Sequence, residues 1–232
     1  MRAAIYFTPG EDNPLTLRAA EWLGRDAFDD RVVRDADPLI DVLVSDPARY
    51  GFHATLKAPF RLADGMTLNN LDRELAAFAQ RIQAVSLGTL AVTRLDSFFA
   101  LTVQTALPRL LQVEEAVRTA FEPFRAPLTE QEVARRNPQA LSERQQANLS
   151  RWGYPHVGQE FRFHMTLTNS IVDKDQAARV EKRLHSHFNP VLETPVVIDA
   201  LALFVESGPG APFYVHSRHP LQSGMPSQVL KP

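Results

Sequence analysis

One tetrapeptide pattern occurs twice, once in each half of the chain, and it restricts the possible folds more than any other feature. His53-Ala54-Thr55-Leu56 and His164-Met165-Thr166-Leu167 both read His-x-Thr-Leu. Seven histidines scattered at random would give roughly 0.05 such matches, and two matches would occur in roughly one shuffled sequence per thousand. Both sit in alternating apolar and polar runs, at 51–60 and 159–168, which read as strands. Side chains alternate faces along a strand. Phe52, Ala54 and Leu56 therefore share one face, with His53, Thr55 and Lys57 on the other. In the second run Phe161, Phe163, Met165 and Leu167 form the apolar face, and Arg162, His164, Thr166 and Thr168 the polar one.

The flanking order repeats as well. After each histidine strand come a helix and two further strands, the first starting about 34 residues beyond His53 and about 32 beyond His164. The first helix carries Leu68, Leu71, Leu75, Phe78, Ile82 and Val85 in one stripe. The second is capped by Asp173 and carries Ala177, Val180, Leu184 and Phe188. The strand pairs are 87–95 with 98–105, turning at Asp96-Ser97, and 195–206 with 212–217, separated by Gly208-Pro209-Gly210. Residues 2–8 read as a buried strand, 14–25 and 108–122 as helices, and 26–48 as irregular. Residues 129–150 are polar and charged, with a capping-box pair at Thr129 and Glu132, and read as an exposed helical insertion. The expected fold class is α+β. Two pseudo-symmetric lobes, about 1–106 and 107–220, each carry an antiparallel-rich sheet with outer helices and face a shared cleft. A loose tail at 221–232 follows.

Composition removes several chemistries. The 232 residues include no cysteine, which excludes a thiol nucleophile, a disulfide framework and cysteine-ligated metal. His185 and His187 lie two apart on a predicted helix and point to different sides, while His216 and His219 fall near the loose C-terminus. No compact metal-ligand spacing appears, so neither metal nor cofactor is expected. The formal net charge is −2, which gives no global field for duplex DNA or an anionic membrane. No signal-like or spanning apolar segment is visible, and a cytoplasmic protein is expected.

Two imidazoles facing one another suit acid–base chemistry near neutrality, because histidine titrates near ~6.5. One neutral ring can take a proton from water or a hydroxyl, and one protonated ring can give a proton to a leaving oxygen. Threonine hydroxyls can donate to phosphoryl oxygens, and Lys57 or Arg162 can add positive charge. This arrangement fits transfer or hydrolysis at a phosphodiester without a metal.

The paired motifs resemble those of the two-histidine (2H) phosphoesterase superfamily, whose members are bilobal with one motif per lobe. A narrower similarity is to the branch found with carbon–phosphorus lyase genes. It is carried by Tyr50 to Phe60, by Trp152-Gly153-Tyr154-Pro155 with Phe161 to Thr168, and by Ala4 to Phe7 and Glu132 to Arg136. The resemblance implies His53 and His164 as the catalytic pair, Thr55 and Thr166 as phosphate ligands, and a role in phosphonate use on a phosphoribosyl cyclic phosphate. Tyr6, Lys57, Arg135, Arg136, Tyr154 and Arg162 are further candidates for substrate contact. Which histidine is acid and which base stays open, as does the oligomeric state.

Plainer readings exist for each residue. Threonine is common in strands, arginines in a charged helix usually face solvent, and tyrosines are often core. Two other functions compete with a small cyclic phosphate. An enzyme acting on 2′,3′-cyclic phosphate RNA ends would use the arginines and aromatics of 129–154 as a strand-binding groove. A non-catalytic binder would use the same cleft to sense a phosphorylated metabolite.

Overall fold

The computed structural model describes residues 1–223, and the expected loose tail from 224 onward lies outside the described residues. In chain order the elements are β1 (Arg2–Phe7), α1 (Pro14–Leu23), β2 (Arg25–Asp26), β3 (Arg31–Val32), α2 (Pro38–Tyr50) and β4 (Ala54–Phe60). Next come α3 (Leu68–Ala79), β5 (Val85–Gly88), β6 (Leu90–Leu95), β7 (Phe98–Val103), α4 (Pro108–Ala120), α5 (Glu130–Ala134) and α6 (Glu143–Trp152). The chain continues with β8 (His164–Thr166), α7 (Lys174–Leu192), β9 (Val196–Ile198), β10 (Ala200–Glu206) and β11 (Phe213–Pro220).

Most helix ends follow from local chemistry. Asn13 caps α1, with its side chain accepting from the Leu15 N–H, and Gly24 closes the helix in the left-handed conformation. Residues 26–48, expected to be irregular, include α2. Asp37 accepts from the N–H groups of Leu39 and Ile40, and Pro38 sits in the first turn, where its missing N–H costs nothing. The apolar stripe of 68–85 is split: α3 ends at Ala79, and Val85 begins β5.

Seven strands form one sheet in the order β11-β10-β1-β4-β8-β7-β6, and every neighbouring pair is antiparallel. The α+β class is as expected. The two histidine strands are adjacent at its centre, so each flank of the sheet carries one motif. The flanks do not follow the chain halves, however. β10 and β11, from the second half, extend the β1–β4 flank, while β6 and β7, from the first half, extend the β8 flank. β5 pairs with β9 across the same divide. The expected boundary near residue 106 therefore does not separate the strands of one flank from those of the other.

The faces of the sheet divide cleanly. Ala3, Ile5 and Phe7 of β1, Leu201, Leu203 and Val205 of β10, and Met165 of β8 enter the main apolar cluster, with Leu71, Leu75, Val117, Leu184 and Phe188 from α3, α4 and α7. Alternate residues Ala4, Tyr6, Ala202 and Phe204 join Phe213 in a smaller cluster on the opposite face. Burying a large apolar side chain contributes roughly 1.5–3 kcal/mol, so the main cluster fixes which face remains for the histidines.

Two further expectations are corrected. The run 159–168 forms a strand only over His164–Thr166, preceded by a 3-10 turn at Gly158–Glu160. Thr168 is buried, and its hydroxyl accepts from the Phe99 N–H instead of sharing the polar stripe. The first residues of the expected tail are docked: Leu221 is buried and Gln222 bonds Ile82 and Ala84 through its backbone. His216 and His219 consequently lie on β11, where His219 bonds Asp72 at 2.8 Å. Among the described residues no helix is long and apolar enough to cross a membrane.

Candidate active site

The pairing of Ala54 with Met165 sets the geometry of the centre. In an antiparallel pair, continuing that register by one residue each way places His53 opposite Thr166 and Thr55 opposite His164. The two motifs thus interlock head to tail on one face, each histidine beside the other motif's threonine. Neighbouring strands complete the row. Tyr6 of β1 pairs with Thr55, and Thr102 of β7 pairs with His164.

Both imidazoles are held by the same device. His53 Nδ1 bonds the Gly51 carbonyl at 2.9 Å, and His164 Nδ1 bonds the Arg162 carbonyl at 2.8 Å. Each ring reaches back to the residue two before it. A carbonyl only accepts, so Nδ1 carries the hydrogen and Nε2 keeps its lone pair in the neutral ring. Among the described residues neither Nε2 has a hydrogen-bond partner. Gly51 is needed for this turn. Its φ is +75°, and an added Cβ would lie 2.6 Å from the Ala27 side chain.

The surroundings differ. Tyr6 stacks on the His53 ring with centroids 3.8 Å apart and planes 17° apart. Tyr50 and Phe204 flank the same ring at 6.3 and 6.1 Å. Burial lowers the His53 pKa to about 4; the Gly51 carbonyl opposes the shift and a charge on His164 would add to it. His164 meets only Phe98 among these aromatic pairs, at 5.8 Å. Burial lowers its pKa too, against the pull of the Arg162 carbonyl. Burial pushes the Tyr6 phenol well above its usual value and raises that of Tyr154, where the Arg136 charge opposes the shift. Both phenols remain protonated donors at neutral pH.

A cavity of about 360 Å³ opens beside this row, with Thr55, His164, Phe98, Gln145, Tyr154 and His156 among its lining residues. The polar insertion is therefore part of the site: α6 supplies Gln145, and the loop after it supplies Tyr154 and His156. Its two capping boxes, Thr129 with Glu132 and Ser142 with Gln145, fix the starts of α5 and α6.

The structure brings His53, His164, Thr55, Thr166 and Tyr6 together on the sheet, with Tyr154 and Arg162 at the cavity. Arg136 is half-buried, its guanidinium 5.1 Å from the Tyr154 ring centre. Arg135, beside it, is exposed. Lys57 is not among them. A register shift between Ile5 and Tyr6 breaks the alternation of β4 after Thr55, and a bulge turns the following side chains. Lys57 is buried instead, bonding Glu122 at 2.8 Å and the Arg118 carbonyl at 3.3 Å. Sequence reasoning missed Tyr50, Gln145 and His156 as site residues. Tyr50 stands beside the first motif, but only the path of α2 brings it over His53.

Comparison with known proteins adds relatives. A family model described as "Protein of unknown function (DUF1045)" matches residues 55–214. A protein of Janthinobacterium sp. (strain Marseille) named "Ribose 1,5-bisphosphate phosphokinase PhnN" is 40% identical over 228 residues, covering 94% of this chain and 50% of the relative. One of the same name from Laribacter hongkongensis (strain HLHK9) is 34% identical over 221 residues, covering 92% of this chain and 50% of the relative. The chain spans about half the length of both. Among solved structures, E. coli LigT complexed with 3′-AMP aligns with a TM-score of 0.43 and 10% identity, over 96% of this chain and 98% of that one. TT0787 of Thermus thermophilus aligns at 0.45 and 14%, over 97% of this chain and all of that one. The family match runs from Thr55 of β4 through the insertion and β8 into β11, and on it the chain belongs to the family described as DUF1045, a protein of unknown function.

Proposed function

We propose that this chain is a phosphodiesterase of the two-histidine type that opens a small cyclic phosphate. The observation that carries the reading is the interlocked register. It sets two imidazoles and two threonine hydroxyls on one face, and both rings leave Nε2 unpartnered. A phosphodiester between the rings would receive hydrogen bonds from Thr55 and Thr166 on its non-bridging oxygens. His53, neutral above about pH 4, is suited to act as base on a water. His164, less enclosed by aromatics, is the better place for a proton that passes to the leaving oxygen. The phosphodiester's own negative charge favours that proton when bound. Water oxygen bonds phosphorus, the phosphorus–alkoxide bond breaks, and the alkoxide takes the His164 proton. The water's proton stays on His53. No step calls on a metal.

The substrate we infer is a 5-phosphoribosyl 1,2-cyclic phosphate. Breaking its bond from phosphorus to O2 leaves ribose 1,5-bisphosphate, the compound in the name of both curated relatives. The test is turnover in the presence of EDTA, with nucleoside 2′,3′-cyclic phosphates alongside and phosphorus NMR to identify the product. We expect ribose 1,5-bisphosphate from the wild type and loss of turnover in both His53→Ala and His164→Ala. A preference for the nucleotides, with a steep salt dependence on an oligonucleotide ending in a 2′,3′-cyclic phosphate, would favour RNA ends. Binding without turnover would favour a sensor.

A further inference from the structure

The cavity beside His164 is lined by Arg162 and His156 as well as by Asp96, Glu114 and Glu160, and the hydrolysis uses neither Arg162 nor His156. Arginines elsewhere in the molecule are commonly tied to carboxylates, as Arg2 and Arg49 are to Glu206 and Arg61 to Glu132. Arg136 and Arg162 have no carboxylate within 4 Å among the described residues. A path of close neighbours links them. Arg136 lies over Tyr154, and the Tyr154 and His156 rings are 5.5 Å apart. Tyr154, His156, Arg162 and His164 line the same cavity. Arginine suits this purpose because its planar fork matches the oxygens of a phosphate.

We propose that Arg136, Arg162 and His156 form a second anion subsite that takes the terminal phosphate monoester of a sugar whose cyclic diester lies at His53 and His164. The assignment rests on the phosphodiesterase reading above. His156 is held below its ordinary pKa first by burial and then by the charges of His164, Arg136 and Arg162, with Glu160 opposing. A bound dianion would reverse that balance and protonate it. The cavity's carboxylates do not all oppose an anion. Glu114 is paired with Arg118 at 2.9 Å, and Glu160 lies 3.6 Å from the Arg144 guanidinium. Asp96, at the turn between β6 and β7, is an acceptor suited to sugar hydroxyls. The subsite makes the substrate class a bis-anionic sugar, and it selects against a cyclic phosphate that lacks the second charge.

The experiment compares 5-phosphoribosyl 1,2-cyclic phosphate with ribose 1,2-cyclic phosphate in wild type, Arg136→Ala, Arg162→Ala and His156→Gln. Charge-assisted bonds contribute enough for about a tenfold to hundredfold change each. Each arginine variant should lose at least tenfold more kcat/KM on the phosphorylated substrate than on the other, and Arg162→Lys should recover part of the loss. Arg73→Ala, on an exposed helix position away from the site, should change neither. Histidine-dependent turnover that ignores the 5-phosphate would overturn the subsite and leave the phosphodiesterase reading intact. If no cyclic phosphate is turned over, calorimetric titration with ribose 5-phosphate decides. Binding weakened tenfold or more in the double arginine variant, with an unchanged melting temperature, supports the subsite. No binding of ribose 5-phosphate at millimolar concentration overturns it.

Discussion

The two histidine strands carry the same four-residue pattern and the same backbone anchor, yet they place their imidazoles in different surroundings. His53 lies under a stacked tyrosine with two more aromatics around it. His164 borders an open cavity lined by polar and charged side chains, Gln145, His156, Glu160 and Arg162 among them. The anchor, a bond from Nδ1 to the carbonyl two residues back, comes from the motif's own backbone and is repeated faithfully. The surroundings come from β1, α2 and β10 on one side and from β7, α6 and the loop after α6 on the other, and they are not repeated. Symmetric chemistry groups thus become unequal through packing alone, which is what an acid–base pair requires.

The largest expected effect tests whether the pair acts as a unit. His53→Ala and His164→Ala should each lower kcat by about 10²–10⁴, and the double variant should be little worse than either single one. Effects that multiply would show two independent contributors. Next, Thr55→Val and Thr166→Val should each cost about tenfold in kcat/KM, since one hydrogen bond to charge is lost. Equal losses would show that the two threonines contribute alike to binding the phosphate, and an unchanged kcat/KM in either variant would remove that threonine from the site.

The inequality itself is read from pH. In the proposed mechanism His53 starts neutral, so kcat/KM should rise through about pH 4. The same mechanism needs His164 protonated, and its pKa lies below the ordinary value, so kcat/KM should fall before pH 6.5 is reached. Bound phosphodiester raises the His164 value, and the upper limb of kcat should move to higher pH. Tyr6→Leu removes the stack and admits water to His53. Its acid limb should shift upward by about half a unit to one unit, with kcat/KM reduced about threefold to tenfold. An unmoved limb would show that the stack does not set the asymmetry. The smallest catalytic effect is expected at Lys57→Met. Glu122 keeps its bond to Arg125, so the change should cost about 1–3 kcal/mol of stability in urea unfolding and shift kcat/KM by less than about twofold.

How much of this is legible in the sequence depends on range. The first motif strand, the helices α3 and α7 and the turn joining β6 to β7 follow from local periodicity, whereas the second motif strand is shorter than its alternation suggests and the stripe of α3 ends before Val85. The histidines and threonines follow from a repeated pattern of residue types. Local alternation puts Lys57 on the wrong face, because the bulge in β4 is set by its pairing with β1, which alternation does not encode. Tyr50 and His156 escape sequence reasoning because their roles depend on how α2 and the insertion fold over the sheet. The division of strands between the flanks escapes for the same reason. Two similar stretches of sequence suggest two separate halves, whereas the pairings run between them.

That crossed pairing has a consequence for assembly on the ribosome. β1 is made long before its outer neighbour β10, and Arg2 pairs with Glu206 across most of the intervening chain. Until β10 emerges, β1 has an unsatisfied apolar edge and the sheet lacks one flank. Closing such long loops is slow, and an open strand edge invites association with other chains. Expression as two fragments should therefore give insoluble pieces alone and a folded protein only when both are present.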